Sequence, residues 1–107
     1  MRKNYYFSRW QRYNTKGAER TIPFELRNIL WTMVDALVVS KHQTDYLQVF
    51  ELTCRDGSCL VKHIQEIPVI KNQFTVTILT RGFECERLKI FVIDDVSHCT
   101  MLLASEY

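Results

Sequence analysis

The sequence is poor in glycine and proline and has no long hydrophobic run. Its three glycines, Gly17, Gly57 and Gly82, stand too far apart to form a glycine-rich phosphate loop. The longest apolar stretch, residues 29–39, is interrupted by Asp35 and is much shorter than the roughly 18 residues that a membrane span requires. The G-x-S-x-G signature of serine hydrolases is also missing. These absences argue against a P-loop enzyme, an α/β-hydrolase and a membrane-spanning protein.

The length of 107 residues favours a single domain over residues 1–107. A chain of this size buries on the order of 65% of its unfolded surface, so it needs neither a metal nor a disulfide to fold. Residues 1–10 contain no apolar run of the kind found in a secretory signal. We therefore expect a cytoplasmic protein whose four cysteines stay as thiols.

Charge is distributed unevenly along the chain. Residues 1–20 hold six basic side chains and one acidic one, a local charge of +5, whereas the other 87 residues hold 8 basic and 11 acidic side chains, a charge of −3. Five aromatic residues lie among the N-terminal charges: Tyr5, Tyr6, Phe7, Trp10 and Tyr13. Residues 1–11 thus read as a basic and aromatic extension or as an edge strand.

An amphipathic helix is predicted at about residues 23–40. Pro23 suits a first helical position, and Glu25 complements the positive end of the helix dipole. Apolar residues recur at the spacing of one buried helix face: Leu26, Ile29, Leu30, Met33 and Leu37, widened by Trp31, Val34 and Val38. The pattern places Arg27, Asn28, Thr32 and Asp35 outward.

Four or five strands follow the helix. Asp56-Gly57 predicts a hairpin between a strand at 46–53 and one at 59–66, because both turn residues tolerate positive φ. A turn centred there pairs residues whose numbers sum to 113, so Glu51 faces Lys62, Val49 faces Ile64 and Cys54 faces Cys59. The opposite charges of Glu51 and Lys62 support this register.

Pro68 predicts the end of the second strand. Alternation at 74–78 predicts another strand, the apolar run 88–93 a central strand and 100–104 the last one, with a possible edge strand at 12–15. We therefore predict an α+β fold with one helix on a mainly antiparallel sheet of four to six strands. The expected inner face includes Val49, Ile64, Phe74, Val76, Ile78, Ile90 and Val92.

Several blocks of the sequence resemble one family. They are Ile22-Pro23, Leu30-Trp31, residues 45–52, His63 with Gln65-Glu66 and Pro68, residues 89–95, and residues 100–104 with Glu106-Tyr107. From about Arg12 onward the chain is similar to small Gram-positive bacterial proteins known as domain of unknown function 960. The resemblance implies a soluble bacterial protein often encoded on mobile elements, with no established activity or cofactor. Residues 1–10 and the cysteines depart from the pattern.

The N-terminal segment is the first candidate site. Its proposed partner-binding residues are Arg2, Lys3, Tyr6, Arg9, Trp10, Arg12 and Lys16. Basic side chains with aromatic rings suit phosphates and exposed bases, and the same residue types anchor protein interfaces. Alternatively the segment is a strand whose aromatics pack on the core. A contiguous basic face would favour nucleic acid, whereas an apolar patch with a basic rim would favour a protein partner.

Acids and imidazoles form the second candidate: His63, Glu66, Asp94, Asp95 and His98. Such groups perform acid–base chemistry or bind metals when they converge. However, His63 and Glu66 are three apart and point to opposite faces of a strand, and Asp94-Asp95 also reads as a turn.

The cysteines form the third candidate. Cys54 and Cys59 face each other and could form a disulfide if oxidised, or bind zinc if Cys85, His98 or Cys99 completed the set. Alternatively they are buried structural thiols.

Taken together, the residues predict a non-enzymatic binding protein without cofactor that docks on a protein or nucleoprotein. Inhibition of a host restriction or CRISPR nuclease fits the mobile-element association implied by the resemblance. The competing hypothesis is a small enzyme or metal-dependent protein that uses the histidines, acids or cysteines.

Overall fold

The computed structural model describes residues 4–40 and 43–107 as an α+β fold in which helices pack on a six-stranded mixed sheet. The strand order is β1-β6-β5-β2-β3-β4, and the β1–β6 pair is parallel while the other pairs are antiparallel. The elements in chain order are β1 (Arg12–Asn14), α1 (Lys16–Thr21), α2 (Phe24–Val39), β2 (Leu47–Arg55), β3 (Ser58–Gln65), β4 (Ile70–Thr77), β5 (Cys85–Asp94), β6 (Cys99–Leu103) and a 3₁₀ turn (Ala104–Glu106).

The main helix, α2, begins one residue later and ends one residue earlier than the predicted 23–40, with Pro23 at the N-cap. Its buried residues are Leu26, Leu30, Trp31, Val34 and Leu37, which confirms the predicted face. Glu25 accepts hydrogen bonds from the Leu79 and Thr80 N–H groups at 2.8 and 3.0 Å, and these bonds lower the pKa of its carboxyl. No helix within residues 4–40 and 43–107 is long and apolar enough to cross a membrane.

The short helix α1 was not predicted. Thr15 caps it by accepting a hydrogen bond at its Oγ1 from the Ala18 N–H at 3.1 Å. Only Ala18 of this helix is buried, so the sequence of α1 does not show apolar residues repeating at helical spacing. The edge strand predicted near 12–15 is β1, at Arg12–Asn14, and residues 4–10 form no strand.

The hairpin of β2 and β3 has the predicted register. Glu51 pairs with Lys62, Val49 with Ile64 and Cys54 with Cys59. Asp56 and Gly57 adopt φ of 54° and 78°, which is the positive-φ pair that a tight two-residue turn requires. The apolar run of β5 lies between β2 and β6, as expected for a central strand.

The helices cover one face of the sheet. That face carries the core residues Phe50, Leu52, Val61, Ile90, Val92 and Met101, which cluster with Leu30 and Val34 of α2. Val49 and Ile64 alternate with these positions and point to the second face, so their assignment to the inner face was wrong. The sequence is ambiguous here because β2 has buried apolar residues on both faces.

The assignment of Phe74 to the inner face is confirmed, but the burial expected from it is not. Phe74 pairs with Val61 and lies on the inner face of β4, but it is 44% exposed. Val76 is partly buried and Ile78 is buried, so the inner face of this edge strand is covered toward its end but not in its middle.

Candidate functional site

The N-terminal segment, residues 4–11, is fixed to the body of the protein by a buried phenylalanine. Phe7 is 1% exposed and belongs to the core cluster. Its N–H donates to Asp94 Oδ2 at 3.0 Å, and the Tyr5 N–H donates to the Thr44 carbonyl at 3.1 Å. Phe7 has φ of 48°, which a bulky residue rarely adopts, so the surrounding contacts hold its backbone in an unfavourable conformation. Part of the basic and aromatic segment is therefore core.

Arg12 provides a second attachment. Its guanidinium forms two hydrogen bonds with the Asp35 carboxylate of α2, one of them from Nη1 at 3.3 Å, and donates to the Phe7 carbonyl at 2.7 Å. It also lies 4.7 Å from the ring centroid of Trp31, and its side chain is 16% exposed. The prediction that Asp35 faces outward was wrong, because this carboxylate joins the helix to the N-terminal segment.

Around these attachments lies a set of exposed side chains that we call the N-terminal patch: Tyr6, Arg9, Trp10, Tyr13 and Val96. Trp10 is 93% exposed, Tyr6 is 72% exposed and Tyr13 is 57% exposed. Tyr6, Trp10 and Val96 line a groove of about 420 Å³ between the N-terminal segment and the loop that joins β5 to β6. Tyr13 lies next to this groove, with its ring 5.6 Å from that of His98, which is one of the lining residues. The patch combines large apolar surface with a rigid base.

The basic residues of this region have different environments. Arg9 is 76% exposed and pairs with Asp35 at 3.5 Å, whereas Arg12 is used internally. Lys16 is exposed at the start of α1. Arg2 and Lys3 lie outside the described residues. Arg9 thus belongs to the rim of the patch, and no contact within the described residues links Lys16 to the patch.

The loop after β5 brings some of the predicted acids and imidazoles together. Asp94 is buried and accepts hydrogen bonds from the N–H groups of Phe7 and Val96. Asp95 accepts from the His98 N–H at 3.0 Å and from the Ser97 hydroxyl at 2.9 Å, and its carboxylate lies 3.2 Å from His98 Nε2. These bonds, led by the one from the His98 backbone, lower the pKa of Asp95. The geometry is that of a closed polar turn.

His63 lies in a different environment. It is 4% exposed, stacks on Phe50 with ring centroids 4.3 Å apart and has Nε2 2.8 Å from Gln48 Oε1. Burial lowers its pKa to about 4, so the ring is neutral at pH 7. No carboxylate of the described residues hydrogen-bonds to it. The structure therefore joins Asp95 with His98 and leaves His63 and the exposed Glu66 apart from them.

The polar network around His63 was not predicted. Gln48 Nε2 donates to Gln65 Oε1 at 2.8 Å, and Gln65 Nε2 donates to the Gln43 and Pro68 carbonyls. Both glutamines are essentially buried, at 0% and 1% exposed. Because each buried amide has partners, the network fixes the segment before β2 and the bend after β3. That bend contains the cis Ile67–Pro68 peptide bond.

The cysteines do not all remain thiols. Cys54 and Cys59 form a disulfide between neighbouring positions of β2 and β3, so the expectation of four thiols was wrong for this pair. Cys85 lies opposite Cys54 on β5, and its thiol donates to the Leu52 carbonyl at 3.5 Å. Burial raises the pKa of both free thiols, that of Cys99 to about 11. Among residues 4–40 and 43–107, no three His, Cys, Asp or Glu side chains are placed to hold a metal.

A sheet with helices on one face and an anchored aromatic patch at one end defines a small α+β protein with a candidate recognition surface. The chain belongs to the family described as staphylococcal protein of unknown function, DUF960, whose model matches residues 11–106. The match confirms the resemblance and begins just after Trp10, so Tyr6, Arg9 and Trp10 lie outside the matched range.

One solved structure is similar over almost the whole chain. It is a protein of unknown function from Enterococcus faecalis, with 22% identity, a TM-score of 0.81 and 98% of each chain covered. At this identity the similarity establishes the fold alone. A comparison with curated proteins gives no match.

Proposed function

We propose that this is a non-enzymatic binding protein that docks on a protein partner through the N-terminal patch. The observation that carries the proposal is the 93% exposure of Trp10 beside two attachment points, the buried Phe7 and the partly buried Arg12. An isolated exposed apolar residue needs no explanation, but several large ones around a groove are typical of an interaction site. Tyr6 and Val96, which are 72% and 66% exposed, line the same groove as Trp10.

The attachments favour tight binding because they reduce the ordering cost. A free segment would lose backbone and side-chain freedom on docking, at about 1–2 kcal/mol per residue for the backbone alone. Phe7 and Arg12 already hold the chain on either side of Arg9 and Trp10. Less of the energy gained when the aromatic side chains contact the partner is therefore offset by the cost of ordering the segment.

The character of the patch favours protein over nucleic acid. A nucleic-acid site needs free cationic groups along the phosphate path. Here Arg12 is held by Asp35, Arg9 contacts the same carboxylate, and Asp95 lies on the neighbouring loop. An apolar centre with Arg9 at its rim resembles the anchors of protein interfaces, in which Trp, Tyr and Arg carry much of the energy.

The finer form of the proposal is that the partner is a nuclease of host defence, either a restriction or a CRISPR enzyme. The basis is the mobile-element association implied by the family resemblance, together with a surface suited to docking. A protein that blocks a nuclease by occupying its surface needs no catalytic group, cofactor or metal. This form also places the protein in the bacterial cytoplasm, where such nucleases act.

Affinity capture from a staphylococcal lysate tests the proposed surface. Tagged wild-type protein is compared with Tyr6→Ser/Trp10→Ser and with Val39→Ser, a matched control that is 81% exposed outside the patch. We expect a stoichiometric partner with the wild type and the control. For the double variant we expect at least a tenfold loss, because the loss of even one aromatic anchor costs about 2 kcal/mol, more than the roughly 1.4 kcal/mol of a tenfold change. Identical capture by all three proteins would reject the patch.

Two further assays separate the partner classes. Fluorescence anisotropy with labelled single- and double-stranded DNA is expected to give no binding tighter than about 10 µM, a value within the range of non-specific contacts. Plasmid cleavage by a purified staphylococcal CRISPR nuclease or restriction enzyme tests the finer form, with slowed cleavage expected for the wild type and the Val39→Ser control but not for the double variant. Tight DNA binding would contradict the choice of a protein partner, and unaffected cleavage would reject these nucleases.

A further inference from the structure

Within residues 4–40 and 43–107, no strand pairs with the outer edge of β4, so the sheet has an open edge there. This strand is the terminal one, eight residues long, and most of its residues are exposed on both faces. Natural proteins usually protect such an edge with short strands, proline, bulges or charges. Within Ile70–Thr77 there is no proline and only one charge, Lys71. The edge is therefore ready to accept another strand.

The hairpin geometry determines which groups face the open edge. A two-residue turn at Asp56-Gly57 makes Arg55 and Ser58 a hydrogen-bonded pair, and such pairs alternate along antiparallel strands. Cys59 and its alternate positions in β3 then bond to β4, in agreement with the bond of 2.8 Å from the Ile78 N–H to the Gly57 carbonyl. The backbone groups left facing outward belong to Lys71, Gln73, Thr75 and Thr77.

Exposed apolar side chains lie along the same edge. Val69 just before β4 is 70% exposed, Phe74 in its middle is 44% exposed and Leu79 just after it is 88% exposed. Phe74 also borders a groove of about 450 Å³ between β4 and α2, with Met33 and Leu37 on the helix side. The three side chains are spaced five residues apart, so they are symmetric about Phe74.

We propose that β4 pairs antiparallel with β4 of a second copy of this chain, about a two-fold axis at Phe74. In this register Phe74 faces its own equivalent, and residues whose numbers sum to 148 face each other. Gln73 then lies opposite Thr75 of the second copy, and Lys71 lies opposite Thr77. All four outward-facing residues of each strand find hydrogen-bonding partners, giving roughly eight backbone bonds across the interface.

Side-chain complementarity identifies the second copy as the occupant. The same register places Val69 against Leu79 of the other copy, so the most exposed apolar residues at the two ends of the edge cover each other. The single charge, Lys71, meets a neutral threonine, so no like charges are opposed. Phe74 forms a non-hydrogen-bonded pair with its equivalent, in which side chains approach most closely. A two-fold interface requires this kind of self-complementarity.

Pairing at β4 gives a continuous sheet of twelve strands with β1 at both outer edges. The N-terminal patch lies beside β1 and the loop that precedes β6, at the end of the sheet remote from β4. At about 4.8 Å per strand, the two patches would be roughly 50 Å apart. The dimer would thus be bivalent, a consequence that depends on the proposed function, whereas the strand pairing does not.

Sedimentation equilibrium of the purified full chain, without any partner, tests the pairing. Two double variants differ only at residue 75: Gln73→Glu/Thr75→Glu opposes like charges across the axis, whereas Gln73→Glu/Thr75→Lys opposes unlike charges. Both share Glu at position 73, beside Lys62 of the same chain. The positions are exposed, and thermal unfolding verifies that each variant folds.

We expect the wild type to dimerise at protein concentrations between about 1 µM and 200 µM. The Glu/Glu variant should have a dissociation constant at least about tenfold higher, whereas the Glu/Lys variant should still form the dimer. A wild type that is monomeric at about 200 µM would overturn the proposal and leave the edge to a different protein. Equal dimerisation of Glu/Glu and Glu/Lys would overturn the register. Because no host partner is used, failure here is distinguishable from failure of the proposed function.

Discussion

At one end of the sheet the edge strand β1 has three residues and lies beside α1 and the N-terminal segment. At the other end the edge strand β4 has eight residues, most of which are exposed. Both ends carry exposed aromatic side chains, but the supporting structures differ. Trp10 is exposed beside the buried Phe7, while Phe74 is half exposed on a strand whose middle the helix leaves uncovered.

The difference separates two ways in which an apolar surface can serve recognition. The β1 end presents side chains on a buried base, which suits a partner of definite shape. The β4 end presents mainly backbone groups, which pair with any strand of compatible sequence. The first arrangement needs attachment residues, and the second needs only an unblocked edge. Substitutions at the two ends are therefore expected to have unequal effects on folding.

The largest contrast is between Phe7 and Phe74. Phe7→Ala removes a buried ring and is expected to lower the free energy of unfolding by about 3–5 kcal/mol. Phe74→Ala is expected to cost less than about 1 kcal/mol in the monomer, because the ring keeps much of its exposure in the fold. Urea unfolding well below about 1 µM, where copies of the chain are separate, measures both. Equal losses would contradict the contrast between an anchored and an open end.

A smaller effect is expected for the two arginines that contact Asp35. Arg12→Ala leaves the Asp35 carboxylate and the Phe7 carbonyl without their donor, and we expect a loss of about 3 kcal/mol. Arg9→Ala is the matched control, because this arginine contacts the same carboxylate but is 76% exposed, so its loss is expected to stay below about 1 kcal/mol.

A double-mutant cycle refines this comparison. Arg12→Ala/Asp35→Ala removes both charges, so its loss is expected to be smaller than the sum of the two single losses. Thermodynamic additivity would show that the pair does not act as a unit. The contribution of Arg12 to the attachment would then come from its contacts with the Phe7 carbonyl and the Trp31 ring.

Local patterns predicted the helix and the hairpin because their determinants are close in the sequence. Leu26, Leu30 and Leu37 repeat at helical spacing, and Asp56-Gly57 specifies both the turn and the register. The prediction failed where burial depends on distant cover. Phe74 alternates like a buried strand residue, yet α2 does not extend across it.

The candidate site was less accessible to sequence reasoning. Tyr6, Arg9 and Trp10 are exposed, but the burial of Phe7 and Arg12 depends on contacts with Asp94 and Asp35 far along the chain. A sequence in which aromatic and basic residues alternate does not show which of them fix the segment to the core and which are exposed to a partner. The assignment of these exposed residues to partner binding stays a prediction.

The sequence did contain a signal for the polar network around His63. The register of the hairpin, extended by one pair, places Gln48 opposite Gln65, and it places Phe50 opposite His63. What the sequence did not specify was the face on which these positions lie. Had the inner face been known, two glutamines and a histidine there would have predicted a buried hydrogen-bonded cluster.

The last prediction concerns the effect of pH on stability near the β4 end of the sheet. It uses His63, which lies on β3 beside β4 rather than at the anchored end. Its pKa is lowered to about 4 by burial, from 6.5 in the unfolded chain. Between these values the unfolded state binds the extra proton, so stability is greatest above pH 6.5 and falls as the pH decreases toward 4. From pH 7 to pH 5 we expect a loss of about 2 kcal/mol from this group.

His63→Leu removes the titrating ring and is expected to flatten the stability profile between pH 7 and pH 5, although it lowers stability at pH 7 by leaving Gln48 Oε1 without its partner. Urea unfolding across this range measures the slope. Amide exchange at pH 5 locates the effect, with faster exchange expected in β3 and β4 than in β1 and β6. A variant with the same slope as the wild type would show that another group controls the acid response, and uniform exchange would show that the two ends of the sheet open together.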